Sequence, residues 1–232
     1  MGAFKSIAKR AFTALTNDTL YKDSRNIERW RQRKALEETG EFVEQVMPRV
    51  QSFAGRYALM KYCCAKVRPN QQAGMVCEFG VAAGKSINYI AQSLPDARIF
   101  GFDSFEGLPE DWRDGAPKGT FRTAQLPKVA ANVSLIQGWF NETLPCFLDE
   151  HPEPVIFLHV DCDLYSSTRT VFTALEKRLC PGTVILFDEF FNYPGWKDGE
   201  IRAFTEFVEH TGLQYEYLGY NRYGTQAAVV VK

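Results

Sequence analysis

Val76-Cys-Glu-Phe-Gly-Val-Ala-Ala-Gly-Lys-Ser86 decides how this chain is read. An apolar run carries an acid, Glu78, two residues before Gly80. A second glycine, Gly84, follows, and then a segment with helical character. Further on, Arg98-Ile-Phe-Gly-Phe-Asp103 is another apolar run ending in an acid. Strand, glycine turn, helix, strand and acid, in that order, describe a doubly wound sheet built to hold an adenosine-containing cofactor. Glycine lets backbone approach a ligand that a side chain would block. The acid closing the second strand can accept hydrogen bonds from ribose hydroxyls.

The glycine spacing separates the candidate cofactors. Dinucleotide sites use G-x-G-x-x-G and hold a pyrophosphate at a helix N-terminus. Here no glycine stands two residues after Gly80, and Glu78 would repel phosphate. S-adenosylmethionine carries a sulfonium and an ammonium and no phosphate, so it suits this turn. Two other readings stand beside it: an NAD(P)-dependent oxidoreductase on a similar sheet, and a nucleoside-binding module without catalysis. The first is disfavoured by that glycine spacing.

The chain has 232 residues, 45% hydrophobic and 24% charged, with a net charge of −1. That is an ordinary globular composition, long enough for one large core and an appendage. Nothing in the charge points to nucleic acid. No apolar run is long enough to insert stably in a bilayer. Six cysteines without a C-x-x-C pair argue against a thiolate zinc site. Their apolar contexts suggest reduced thiols and a cytoplasmic location.

Residues 1–20 read as a basic amphipathic helix, with Phe4, Ile7, Ala8, Phe12 and Leu15 on one face. Packing on its own domain or on a partner is the expected use. A membrane surface and the loose myristoylation pattern at Gly2 are the competing ones. Residues 21–67 are mostly helical in pattern. The division expected is a helical extension over 1–70 and a cofactor-binding domain over 71–232. The N-terminal helices are candidates for capping the crevice, holding substrate or forming a homodimer.

From residue 75 strands and helices alternate. Strands are expected at 75–79, 98–103, 133–137, 155–161 and 183–188, and helices at 85–94, 142–150, 166–179 and 199–211. Such alternation implies parallel strands with crossover helices. The ending differs: two strands, at 214–220 and 225–231, flank a four-residue turn, so they are antiparallel. The fold class expected is therefore α/β: a doubly wound, mainly parallel seven-stranded sheet with a C-terminal antiparallel hairpin. Residues 104–128 are rich in Pro and Gly and read as a functional loop beside the crevice.

Several blocks together resemble a known family. Glu78-Phe-Gly-Val81, Gly101-Phe-Asp-Ser-Phe-Glu-Gly-Leu-Pro109, Gly138-Trp-Phe-Asn-Glu-Thr-Leu-Pro145, His159-Val-Asp-Cys-Asp-Leu-Tyr-Ser-Ser-Thr168 and Phe187-Asp-Glu-Phe190 look like the macrocin O-methyltransferase group of class I S-adenosylmethionine-dependent methyltransferases. The blocks keep that group's order over residues 76–206. The resemblance implies magnesium-assisted O-methylation of a hydroxyl on a sugar or other small metabolite. Where much of the group has two consecutive aspartates, this chain has Asp188-Glu189.

The site residues follow. Glu78 and Gly80 are expected at the methionine end of the cofactor, with Gly84 and Ser86 in the turn. Asp103 is expected on the ribose, with Ser104 and Phe105 beside the adenine and Gly138 and Trp139 across from it. Asp161, Asp188 and Glu189 end neighbouring strands and form the candidate magnesium site, because converging carboxylates call for a cation. Arg169, Lys197 or backbone amides are the competing partners for those acids. Asp161 is also the candidate general base. Asp163 is a second-layer acid or a helix cap. His159 shares a strand face with Asp161 and reads as a base or as a hydrogen-bonded core histidine. The aromatics of Tyr193-Pro-Gly-Trp196 wall an acceptor pocket or anchor their loop.

Overall fold

The structure, a computed structural model, describes residues 22–67, 69 and 72–232. The amphipathic segment read over residues 1–20 lies outside them. In chain order the elements are α1 (Ile27–Val46), β1 (Ser52–Phe53), α2 (Arg56–Val67), β2 (Met75–Phe79), α3 (Lys85–Ser93), β3 (Arg98–Asp103) and β4 (Val133–Gln137). There follow α4 (Phe140–Glu150), β5 (Val155–Val160), α5 (Tyr165–Leu175), β6 (Leu179–Phe187), α6 (Glu200–Thr211), β7 (Tyr215–Asn221) and β8 (Ala227–Val231).

The strands form one sheet in the order β1-β7-β8-β6-β5-β2-β3-β4. β2, β3, β4, β5 and β6 run parallel, while β8 lies antiparallel between β6 and β7. The chain moves from β2 outward to β3 and β4, then returns to place β5 on β2's other side. That reversal opens a crevice at the carboxyl ends of β2 and β5. The five parallel strands and the hairpin are those expected. An eighth strand joins them, since Ser52 and Phe53 pair in parallel with Tyr220 and Asn221.

Alternation along the strands builds two cores. Met75, Cys77 and Phe79 face Phe102, Phe172, Phe187, Phe190 and Phe204 on the side of α4, α5 and α6. Val76, Phe157, Val184 and Leu186 face Leu59, Met60, Cys63, Ile87 and Ile90 of α2 and α3 on the other side. All residues in these two groups are buried. So α2, although it precedes residue 70, is built into the sheet core rather than hanging from it.

Boundaries differ from expectation around β6. The helix expected over 166–179 ends at Leu175 and passes through a 3-10 turn, Glu176–Arg178. There Arg178 donates to the carbonyls of Pro152 and Leu148. β6 then starts at Leu179, because Thr183 Oγ1 accepts from Cys180 N–H and donates to Val155 O, locking this stretch to β5. The six cysteines are free thiols, with Cys63, Cys64, Cys77 and Cys162 buried and Cys146 and Cys180 exposed. Among the described residues no helix is long and apolar enough to cross a membrane.

Candidate active site

A cleft of about 570 Å³ lies over the carboxyl ends of β2, β3, β5 and β6. Gly80 closes β2 at φ +93°, and a Cβ there would sit 1.8 Å from the backbone oxygen of Asp161. The turn can therefore pass the end of β5 only as glycine. Gly84 opens α3 at φ +75°, with Pro127 packed where a side chain would go.

Asp103 holds this turn in shape. Its Oδ2 accepts from Val81 N–H and Ala82 N–H, each at 2.8 Å, and its Oδ1 accepts from Phe105 N–H at 2.7 Å. A carboxylate has about four acceptor positions, so one stays open toward the cleft that Asp103 lines. Ser104, buried next to it, accepts from Glu106 N–H. Gly138 N–H donates to Asp103 O, which brings Trp139 to the cleft wall.

Glu78 departs from expectation. It does not face the cleft but is fully buried behind it. Its Oε1 accepts from Ser86 Oγ–H at 3.0 Å, and its Oε2 lies 2.8 Å from His159 Nδ1. Full burial keeps it off the cleft wall, and its carboxylate is turned to Ser86 and His159 instead. Ser86, which holds Glu78, does line the cleft.

The acids gather at the ends of β5 and β6, and strand alternation sorts them. Asp188 continues the face of Val184 and Leu186, while Glu189 turns to the opposite side. Two overlapping groups result, His159–Asp161–Asp188 and Asp161–Asp163–Glu189, each with ligand atoms within 4.8 Å of one another. The trio expected from sequence is thus split: Asp161 is common to both groups, and Asp188 and Glu189 fall in different ones. Glu200, from the first turn of α6, adds a fully buried carboxylate whose Oε2 accepts from Glu189 N–H at 3.1 Å.

Neither cation expected to satisfy these acids does so. Arg169 lies over the Tyr165 ring, and Lys197 pairs with Glu38. Arg56 of α2 reaches in instead, its Nη2 3.1 Å from Asp188 Oδ1 and 3.4 Å from Asp161 Oδ2. Burial works against the guanidinium's charge, but Asp188 and Asp161 outweigh it and raise its pKa.

Crowding shows in the acids as well. Burial, then the charge of Asp188, raises Asp161 and Glu189 well above the usual carboxylate range. Burial and Asp163 do the same to Glu200. Asp163 is pushed up to about 7, by burial first and Asp188 second. His159 loses basicity to burial, but its bond to Glu78 outweighs this and raises it.

Glu189 Oε2 and Glu200 Oε1 are buried without a hydrogen-bond donor, and Asp188 Oδ1 has no hydrogen bond beyond its ion pair with Arg56. An oxygen-rich donor set with excess negative charge and unpartnered oxygens fits a hard divalent cation. Two residues at this acidic cluster were illegible in sequence. Arg56 lies outside every motif, and Glu200 reads as a first-turn acid serving a helix dipole.

The wall facing the acids is aromatic. Trp112, Arg113 and Phe121 of the 104–128 loop line the cleft. The Arg113 guanidinium stacks 3.8 Å over Trp112 and lies 5.8 Å over Tyr193. Trp196 instead anchors its own loop, buried edge-on against Phe42 of α1.

A sequence model of the methyltransferase-domain family matches residues 77–190. The 8-demethyl-8-(2,3-dimethoxy-alpha-L-rhamnosyl)-tetracenomycin-C 4'-O-methyltransferase of Streptomyces olivaceus is 28% identical over 155 residues, 56% of this chain and 58% of that protein. The demethyldecarbamoylnovobiocin O-methyltransferase of Streptomyces niveus is 26% identical over 172 residues, 62% of this chain and 64% of the relative. The chain thus spans less than two thirds of either relative's length. Among solved structures, the calicheamicin methyltransferase CalS11 superposes with a TM-score of 0.59 at 22% identity, covering 88% of this chain and 93% of the other. The O-methyltransferase NovP gives 0.57 at 22% identity, with coverages of 75% and 78%. These likenesses establish the fold. The methyltransferase-domain match spans residues 77–190, just under half of the chain, and the sheet order and the glycine turn accord with that match.

Proposed function

We propose that this protein transfers a methyl group from S-adenosylmethionine to a hydroxyl of a small, sugar-bearing or related secondary metabolite, with Mg2+ held by Asp161, Asp188 and Glu189. The observation that carries this reading is the acidic group standing at the rim of the same cleft that the Gly80 turn lines. The printed names of the two curated relatives, both O-methyltransferases and one naming a rhamnosyl compound, support the choice of acceptor. We take residues 71–232 as the cofactor-binding domain and 1–70 as an extension, with α2 sewn into the sheet.

Bound S-adenosylmethionine supplies an electrophilic methyl group, and a bound dication lowers the pKa of a hydroxyl placed against it. The chain's residues do the rest. Gly80 would give the cofactor backbone to lie on, the open acceptor position of Asp103 would take a ribose hydroxyl, and Trp139 would offer its ring to the adenine. Asp188 and Glu189 would share the cation's charge with Asp161, the acid common to both ligand groups. Asp161 belongs to both carboxylate groups, and its Oδ1, the oxygen not paired with Arg56, accepts the acceptor's hydroxyl proton. Its raised pKa suits a group that must take up a proton. Trp112 and Phe121 supply flat faces for a sugar or aromatic acceptor.

Calorimetric titration with S-adenosylhomocysteine and with NAD tests the cofactor, and binding of NAD in place of the homocysteine would overturn it. Methyl transfer to a panel of glycosylated acceptors, with Mg2+ and with chelator, tests the rest. Asp161→Asn is expected to lower kcat by about 10²-fold or more while leaving S-adenosylhomocysteine affinity within a few fold.

A further inference from the structure

We propose that His159, braced by Glu78, is a positioning residue for Asp188 and so tunes the acidic site from behind. This rests on the cation reading given above.

Four side chains form a line through the sheet. Ser86 starts α3 at the cleft wall, Glu78 is on β2, His159 is on β5, and Asp188 follows β6. Glu78 and His159 are fully buried, and Ser86 and Asp188 are each 5% exposed. β2, β5 and β6 are adjacent. Glu78 lies opposite His159 in register, and His159 opposite Leu186, which puts Asp188 on the neighbouring diagonal. All three point to the α2 and α3 side. That shared face comes from the two-residue period of a strand.

The hydrogen bonds set the direction of the imidazole. Ser86 Oγ–H donates to Glu78 Oε1, and Glu78 Oε2 meets His159 Nδ1 at 2.8 Å. A carboxylate only accepts, so Nδ1 carries a proton and donates it. The ring is thereby fixed with Nε2 turned to the acids, 3.9 Å from Asp188 Oδ1. Both atoms are buried and have no hydrogen bond. A purely structural pair would close on itself at Glu78 and His159. Here a buried, unpartnered ring nitrogen is aimed at a carboxylate that Arg56 meets as well, 3.1 Å from the same oxygen. Asp188 Oδ1 thus has a guanidinium at 3.1 Å and an imidazole at 3.9 Å, and the pair restricts how the carboxylate swings. Groups of this kind behind a ligand commonly change metal affinity by about 10–100-fold when removed.

The test uses the full chain and Mg2+ as the probe. Calorimetry on His159→Leu is expected to show Mg2+ affinity reduced by about tenfold or more, with S-adenosylhomocysteine affinity within about threefold of wild type. His159→Gln places an amide nitrogen near the position of Nε2 and is expected to recover most of the loss. A His159→Leu variant that binds Mg2+ within about twofold of wild type overturns the proposal. A second measurement needs no variant. The chain has three histidines, so the ring nitrogens of His159 can be assigned by NMR. They are expected to shift when wild type is saturated with Mg2+, and an unmoved signal overturns the proposal. Wild type that binds no Mg2+ at all removes the cation reading itself, which separates that failure from this one.

Discussion

Arg56 sits next to Asp161 and Asp188 although a hundred residues of chain separate it from the nearer of them and no motif includes it. Two acids so close repel unless a cation intervenes, and Arg56 supplies the charge whenever a metal is absent. Its side chain is about one-third exposed, so solvent weakens the pairing. Arg56→Leu is therefore expected to cost the chelator-treated protein about 1–2 kcal/mol in urea unfolding, less than the loss of a wholly buried partner. Mg2+ should recover most of that cost, and a loss of the same size with and without Mg2+ would refute the account. Glycines and strand-end acids were legible in the sequence because their positions follow from the strand pattern alone. The direction of Glu78 was not. Only the β2–β5 register shows that its carboxylate meets His159 instead of the cleft.

At the scale of elements, the parallel strands and the closing hairpin announce themselves through apolar runs and turn residues. β1 does not, since a strand of two residues carries no period. The start of β6 was hidden by Pro181-Gly182, which reads as a turn yet lies within the strand. The loop over 104–128 was recognisable by composition, but its order is tertiary. Leu108 N–H donates to Thr120 O, Gly119 N–H donates to Leu108 O, and Arg113 bridges to Ala116. That fixes Trp112 beneath the Arg113 guanidinium at the cleft wall. Trp112→Ala is expected to raise the acceptor KM by roughly tenfold, a loss of about 1.4 kcal/mol of binding, while S-adenosylhomocysteine affinity stays unchanged. An acceptor KM equal to that of wild type would assign the aromatic wall to packing instead.

For the whole molecule, the acidic site couples stability to pH. Asp163 is pushed up to about 7 by burial and Asp188, from an unfolded value near 3.9. Asp161, Glu189 and Glu200 move the same way, while Arg56 and Arg113 face the group as cations. Across that window the folded chain keeps protons that the unfolded chain has released. Stability therefore falls as pH rises from about 4 to 7. His159, also raised, adds a loss of the same sign as pH climbs through its folded value. Melting temperature in chelator is expected to drop between pH 5 and pH 8, as the cited shifts require, and Mg2+ should flatten the drop. A profile in chelator that rises over this range would contradict the burial of these acids. The thiols offer a separate readout of the same molecule. Burial raises Cys63 and Cys77 far above an ordinary thiol, whereas Cys146 and Cys180 lie at the surface. A thiol-modifying reagent should thus label the folded protein quickly at Cys146 and Cys180 and reach the other four only when the sheet opens, so mass spectrometry could time global opening without any engineered probe.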